Sequence, residues 1–199
     1  MAKLVNWEKF ERAIREKDIP LFSVHDVAQL LDVSKSSATF LVHRYNKKGW
    51  VVRYKRGLYA VQDELPSDLL VANKLYEPSY ISLEFALAYH GVIPETVYEM
   101  TSVTTKATRK YNMGGITFSY RRIKQPAFGG YQLEKQNGIG YKIADAEKAF
   151  VDLHYFRLRE GNASLERFDK SKLNAKKAVK YAKSFDNEKL VALVSKLLK

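Results

Sequence analysis

The chain contains no cysteine, which excludes disulfides and thiolate metal sites alike. Its four histidines, His25, His43, His90 and His154, fall at no ligand spacing, so neither a metal site nor a cofactor is expected. Glycine (10) and proline (5) are sparse among 199 residues, and 46% of the side chains are hydrophobic, a composition that orders into a packed core. No apolar run approaches the ~18 to 20 residues needed to span a bilayer. The opening stretch, MAKLVNWEKFERAIREK, is charged and amphipathic and lacks the apolar centre of a secretory signal; a cytoplasmic protein with no membrane partner is expected.

Enzyme signatures are scarce too. There is no Glu-x-Lys or Asp-x-Lys frame of the kind that metal-dependent nucleases use to hold Mg²⁺ and orient water. A Gly-x-x-x-x-Gly-Lys phosphate loop and a Gly-x-Ser-x-Gly elbow are both missing. The nearest carboxylate cluster is Asp145-Ala146-Glu147-Lys148. On a helix its two acids diverge by about 160°, at ~3.6 residues per turn. Asp145, Glu147 and Asp152 are therefore assigned to structure, no catalytic residue is predicted, and a nuclease is the less favoured alternative.

What the chain has is positive charge, +12 overall, unevenly spread. Residues 1–63 carry 12 basic and 7 acidic side chains, residues 64–162 carry 12 and 11, and residues 163–199 carry 10 and 4. A positive field concentrates polyanions, and the counterions they release drive binding.

Local grammar in the first sixty residues predicts three helices. Asn6 caps the first, whose apolar stripe is Trp7, Phe10 and Ile14, with Val5 and Phe10 as a hydrophobic staple. Ser23 and Asp26 form a capping-box variant for a short helix over Val24–Leu31, with Phe22 and Val27 as its staple pair. Ser34 opens a third that runs to Lys48 and stops at Gly49. Two helices joined by a turn of about three residues are a helix-turn-helix.

In the third helix Ala38, Leu41, Val42 and Tyr45 share one face and are expected in the core. The other face presents Ser36, Phe40, His43 and Lys47, flanked by Thr39 and Arg44, with Lys35 at the helix start. Small hydroxyls permit close approach, Arg and Lys reach guanine or phosphate, and Phe meets a thymine methyl, which is major-groove chemistry. Two β-rich runs then flank a basic turn ending in Gly57, which reads as a hairpin, or wing. Arg53, Lys55 and Arg56 sit at its tip with no acid between Gly49 and Gln62. Double-stranded DNA is the expected partner; winged helices also serve as protein-interaction modules, and that alternative stays open.

Glu64-Leu65-Pro66-Ser67 breaks the pattern, so the expected domains are 1–63, a winged helix-turn-helix, and 64–199, a mixed α/β domain ending in basic helices over 163–199. The expected fold class is α+β. Helices are predicted at 68–76 and 83–90, the latter capped by Ser82 and ended by Gly91, then strands at 97–104 and 115–123 around a polar connection. A second strand pair, 131–134 and 140–143, precedes a helix at 144–156 with Ala146, Ala149, Phe150 and Leu153 as its buried stripe. Basic helices at 172–183 and 187–198 close the chain. Between Met100 and Glu134 there is no acid, yet Lys106, Arg109, Lys110, Arg121, Arg122 and Lys124 all occur there. That cluster reads either as a second nucleic-acid or phosphate surface or as a solvated sheet face.

Four segments in this order resemble the AbiEi family, antitoxins and transcriptional regulators of type IV toxin–antitoxin systems. They are Gly57-Leu58-Tyr59, the run 80–87 followed by His90-Gly91, the run 101–105, and the run 143–152. The resemblance implies a winged-helix domain that represses the toxin's operon. It also implies a C-terminal domain that counteracts a nucleotidyltransferase-like toxin without a stable complex. The last ~35 residues carry little of the family's pattern. A winged-helix regulator or interaction adaptor with no toxin partner is the alternative.

Overall fold

The computed structural model describes residues 6–136 and 138–199. Among them the chain is mixed α+β, with eight α-helices and two sheets. No helix among the described residues is long and apolar enough to cross a membrane. The chain divides into two compact units, the second being Tyr76–Lys199. The division falls at 75/76, twelve residues beyond the expected break at 63/64. The intervening segment is fastened to the first unit: Arg15 pairs with Glu64 at 3.0 Å, and the Lys55 ammonium donates to the Leu75 carbonyl at 2.6 Å.

The first unit contains α1 (Trp7–Glu16), α2 (Val24–Leu31) and α3 (Lys35–Lys47), the hairpin β1 (Val51–Lys55) and β2 (Leu58–Val61), and α4 (Asp68–Leu75). Its helix starts follow the local signals. The Asn6 side chain accepts from the Lys9 amide, Ser23 and Asp26 form the full reciprocal box, and the Ser34 hydroxyl accepts from the Ser37 amide. The staple partner Val5 lies outside the described residues. Asp32 turns the chain between α2 and α3 in a left-handed conformation, φ 50°. Phe10, Phe22, Val27, Leu41, Val42 and Tyr45 fill the core. Trp7, Phe10, Phe22 and Tyr45 meet ring to ring, largely edge to face, the geometry their quadrupoles favour. Between α1 and α2, Phe22 exchanges both backbone hydrogen bonds with Tyr59 of β2, each 2.9 Å.

The second unit is a six-stranded mixed sheet with helices. Its strands are β3 (Ser79–Ile81), β4 (Met100–Thr104), β5 (Arg109–Met113), β6 (Ile116–Arg122), β7 (Tyr131–Gln136) and β8 (Ile139–Ala144), in the order β5-β6-β4-β3-β8-β7. β4 runs parallel to β6, and β3 parallel to β8; the other neighbours are antiparallel. The helices are α5 (Leu83–Tyr89), α6 (Ala146–Glu160), α7 (Ala175–Lys183) and α8 (Glu188–Leu197).

Three expectations need correcting. The edge strand β5 replaces a segment read as a polar connection, the central strand β3 falls where no element was expected, and the strand expected from 97 begins at Met100. Ser82 stands at the N-cap position of α5 but its side chain makes no capping bond: its hydroxyl donates to Asp152 at 2.8 Å, while Thr101 Oγ1 accepts from the Phe85 amide at the start of the helix. α6 is not a one-striped helix. It begins at Ala146, after the cap Asp145, and is buried on all sides from Glu147 to Phe156, because α5, α7, α8 and β8 all pack on it.

Polar groups inside that core are paired. Lys148 and Asp152, one turn apart on α6 and fully buried, form an ion pair, and Tyr80 and Ser82 both donate to the same Asp152 carboxylate. Lys177 of α7 spans Asp145 (3.0 Å) and Glu147 (2.9 Å), and Tyr181 donates to Asp145 at 2.7 Å. These contacts dock α7 on the start of α6. Gly130, at φ +73°, lies under them: a Cβ there would meet the Tyr181 ring at 2.8 Å and Lys148 Cγ at 2.9 Å.

Candidate nucleic-acid interface

α3 separates its faces as its 3.6-residue period requires. Ala38, Leu41, Val42 and Tyr45 are buried, whereas Lys35, Ser36, Thr39, Phe40, His43 and Lys47 are exposed. Phe40 stands out, 64% exposed at the centre of that face. The helix contains no carboxylate, and its N-terminal hydroxyls form a cluster in which Ser34 Oγ lies 2.9 Å from both Ser36 and Ser37. Thr39 donates its hydroxyl proton to the Lys35 carbonyl at 2.8 Å, so toward an outside group it acts as an acceptor. Arg44 is half-buried: it donates to the Tyr45 hydroxyl at 2.7 Å, with its guanidinium 4.8 Å from the Tyr45 ring and 5.8 Å from Phe40. It is the one member of the sequence-predicted reading face held back against its own helix.

The hairpin turns at Arg56-Gly57, where Gly57 takes φ +84°. Register slips by one residue between Arg53 and Lys55, so Tyr54 is the extra residue of a bulge. Arg53 and Arg56 are exposed. Lys55 is not, because its ammonium is turned to the Leu75 carbonyl. Of the three cations expected at the tip, two remain available and the third holds α4.

The basic cluster of the second unit is likewise divided. β6 alternates, so Phe118, Tyr120 and Arg122 share one sheet face and Ser119 and Arg121 the other. Arg121 is committed: it pairs with Glu160 and lies 3.8 Å over the Phe156 ring. Lys110 pairs with Glu99 at 3.3 Å. Lys106 donates to the Glu77 carbonyl and, like Arg109, lies 5.6 Å from the Tyr76 ring. Arg122 and Lys124 are exposed and form no ion pair among the described residues. They share a trough with Arg159, which the sequence reading misses. Arg159 is 35 residues beyond Lys124, and its only signal is a position past a long buried helix.

His154 and Asp152 are buried in the core of the second unit. Burial pushes the His154 imidazole down to about 4; its Nδ1 donates to the Phe150 carbonyl at 2.8 Å, while Nε2 is buried without a partner. Burial pushes Asp152 up, against the opposing pull of Lys148. No group of three or more His, Asp or Glu among the described residues is placed to hold a metal. A comparison with models of known protein families matches none of them, and a comparison with curated proteins finds no match.

Proposed function

We propose that the chain is a cytoplasmic DNA-binding regulator whose first unit is a winged helix-turn-helix. α3 would enter the major groove, and the β1–β2 hairpin would grip the backbone. The observation that carries this reading is the outer face of α3. Six of its seven sequence-predicted residues are exposed, none of its residues is acidic, and its hydroxyl-rich start offers donors to phosphate. Arg53 and Arg56 at the hairpin tip and the Phe22–Tyr59 pairing support it, since the pairing gives the hairpin a third, one-residue strand between α1 and α2. The resemblance to AbiEi antitoxins extends the proposal to autorepression of a toxin operon, the second unit counteracting a nucleotidyltransferase-like toxin without a stable complex.

A second reading, a winged-helix protein-interaction module, draws on the exposure of Phe40, a large apolar group at the centre of α3's face. One titration separates the two. Full-length protein is added to duplex DNA from upstream of its own coding sequence and, in parallel, to scrambled duplex, at several salt concentrations. The DNA reading expects tighter binding to the upstream duplex and a log K that falls steeply with log[salt]. Binding to neither duplex would favour the interaction module. The antitoxin part is tested by co-expression with a neighbouring nucleotidyltransferase-like gene, where rescue of growth is expected.

A further inference from the structure

A trough of about 750 Å³ opens in the second unit, lined by Thr105, Arg122, Lys124, Gln125, Tyr155 and Arg159 among others. It lies at the carboxyl ends of the adjacent parallel strands β4 and β6, which finish in register at Thr104 and Arg122. Open sheets with parallel strands present ligand-binding loops at that end. The backbone is fixed there: the Ile123 amide donates to the Thr104 carbonyl at 2.9 Å and the Arg122 amide to Thr108 Oγ1 at 3.2 Å. From the other side α6 contributes Tyr155 and Arg159, with Arg159 Nη1 3.4 Å from the Tyr155 hydroxyl.

Three cations line the same trough. Among the described residues no carboxylate lines the trough, and Arg122, Lys124 and Arg159 form no ion pair. The neighbouring acid, Glu160, is already paired with Arg121. Each other lining side chain named here brings a hydroxyl or an amide, so the wall offers hydrogen bonds to oxyanions beside the three cations. Tyr155 is only 6% exposed, its ring packed against Phe156 and Phe185, so it offers no stacking platform for a base.

We propose that this trough binds consecutive phosphates of a nucleic-acid strand, reading the backbone and not the sequence. It is a second nucleic-acid site, independent of α3 and the hairpin. Arg122, Lys124 and Arg159 neutralise the phosphates, and Thr105, Gln125 and Tyr155 donate to their oxygens. An open trough with several cations suits a chain of phosphates better than one enclosed nucleotide.

The test uses the full-length chain labelled for arginine side-chain NMR, with two probes: a twelve-nucleotide single-stranded oligothymidylate and inorganic tripolyphosphate. The Nε–Hε signals of Arg122 and Arg159 should shift saturably with the oligonucleotide, and an oligoadenylate of equal length should shift them alike. R122A/K124A/R159A should weaken this binding at least ten-fold and lower the magnitude of the log K versus log[salt] slope by about 2, at ~0.7 per phosphate contact on a single strand. R53A/R56A should leave the Arg122 and Arg159 shifts in place, whatever becomes of duplex binding. Signals unmoved by the oligonucleotide in the wild-type chain overturn the proposal without any variant having to fold. Saturable shifts with tripolyphosphate but none with the strand also overturn it and assign the trough to a small polyphosphate.

Discussion

Phe22 and Tyr59 exchange both of their backbone hydrogen bonds, 2.9 Å each, although 37 positions separate them in the chain. The pair fastens β2 to the segment that enters α2. The hairpin is further tied to α3 through the Trp50 amide, which donates to the Tyr45 carbonyl at 3.0 Å, and through the Asn46 side-chain amide, which donates to the Val51 carbonyl at 2.7 Å. A basic tip held that way is positioned without a flexible linker, which lowers the ordering cost of any contact it makes.

The tip should supply affinity with little sequence choice. Replacing Arg53 and Arg56 by Ala is expected to weaken upstream and scrambled duplex alike. Each lost phosphate contact should cut the magnitude of the salt slope by roughly 0.9. Lys55→Ala should leave that slope unchanged, since its ammonium is engaged with the Leu75 carbonyl, and instead cost about 1–3 kcal/mol of stability. Salt-dependent anisotropy and denaturant melts read the two effects apart. A slope lowered by Lys55→Ala would show that the contact with Leu75 opens on DNA.

Sequence choice should sit on α3. Thr39→Ala and His43→Ala are expected to change the preferred site, each good base contact being worth ~1–3 kcal/mol of discrimination. Thr39 enters as an acceptor, because its proton is spent on the Lys35 carbonyl, so its partner should be a base amino group. Arg44→Ala should act mainly on stability, through lost contacts with Tyr45. Selection from a random duplex library checks all three. An unaltered consensus for Thr39→Ala and His43→Ala would mean that this face does not read bases.

The features legible in the sequence are those whose cause is local. The caps Asn6, Ser23 and Ser34 act three residues along the chain, and the buried face of α3 follows from period alone. β3 was not legible, because three residues carry no period and its neighbours in the sheet pair with it from 21 to 25 and 62 positions away. The same holds for Ser82, whose position before a helix suggests a cap while its true partner, Asp152, is 70 residues on. At the basic surfaces sequence shows charge but not what the charge meets. Lys55, Lys110 and Arg121 look free and are engaged; Arg159 looks unremarkable and completes a trough.

The buried pair of Lys148 and Asp152 predicts an asymmetry between single and double substitutions. Asp152→Leu leaves a buried ammonium uncompensated and orphans the hydroxyls of Tyr80 and Ser82, so a loss of about 3–5 kcal/mol is expected. The double variant Lys148→Met/Asp152→Leu removes both charges and should lose less than the sum of the single variants. Chemical denaturation of the four proteins gives the coupling directly. Additive losses would mean that the two groups do not sense each other.

His154 predicts an acid-side loss of stability. Burial pushes its imidazole down to about 4 in the folded chain, below the ordinary 6.5, and protonation there would place a new N–H at a buried Nε2 that has no acceptor. The unfolded chain then binds more protons than the folded one between these values. The stability linked to this group is therefore complete above about pH 6.5 and declines as pH falls toward 4, by roughly 3 kcal/mol in all. Buried carboxylates such as Asp152 titrate with the opposite sign, so the contribution has to be isolated by difference. His154→Leu should be less stable than wild type at pH 7.5, having lost the ring contact 4.1 Å from Phe150, but should decline less steeply on acidification. Urea melts of both proteins from pH 7.5 to 4 supply the two curves. Parallel curves across that interval would show that His154 is not the group whose protonation opposes folding.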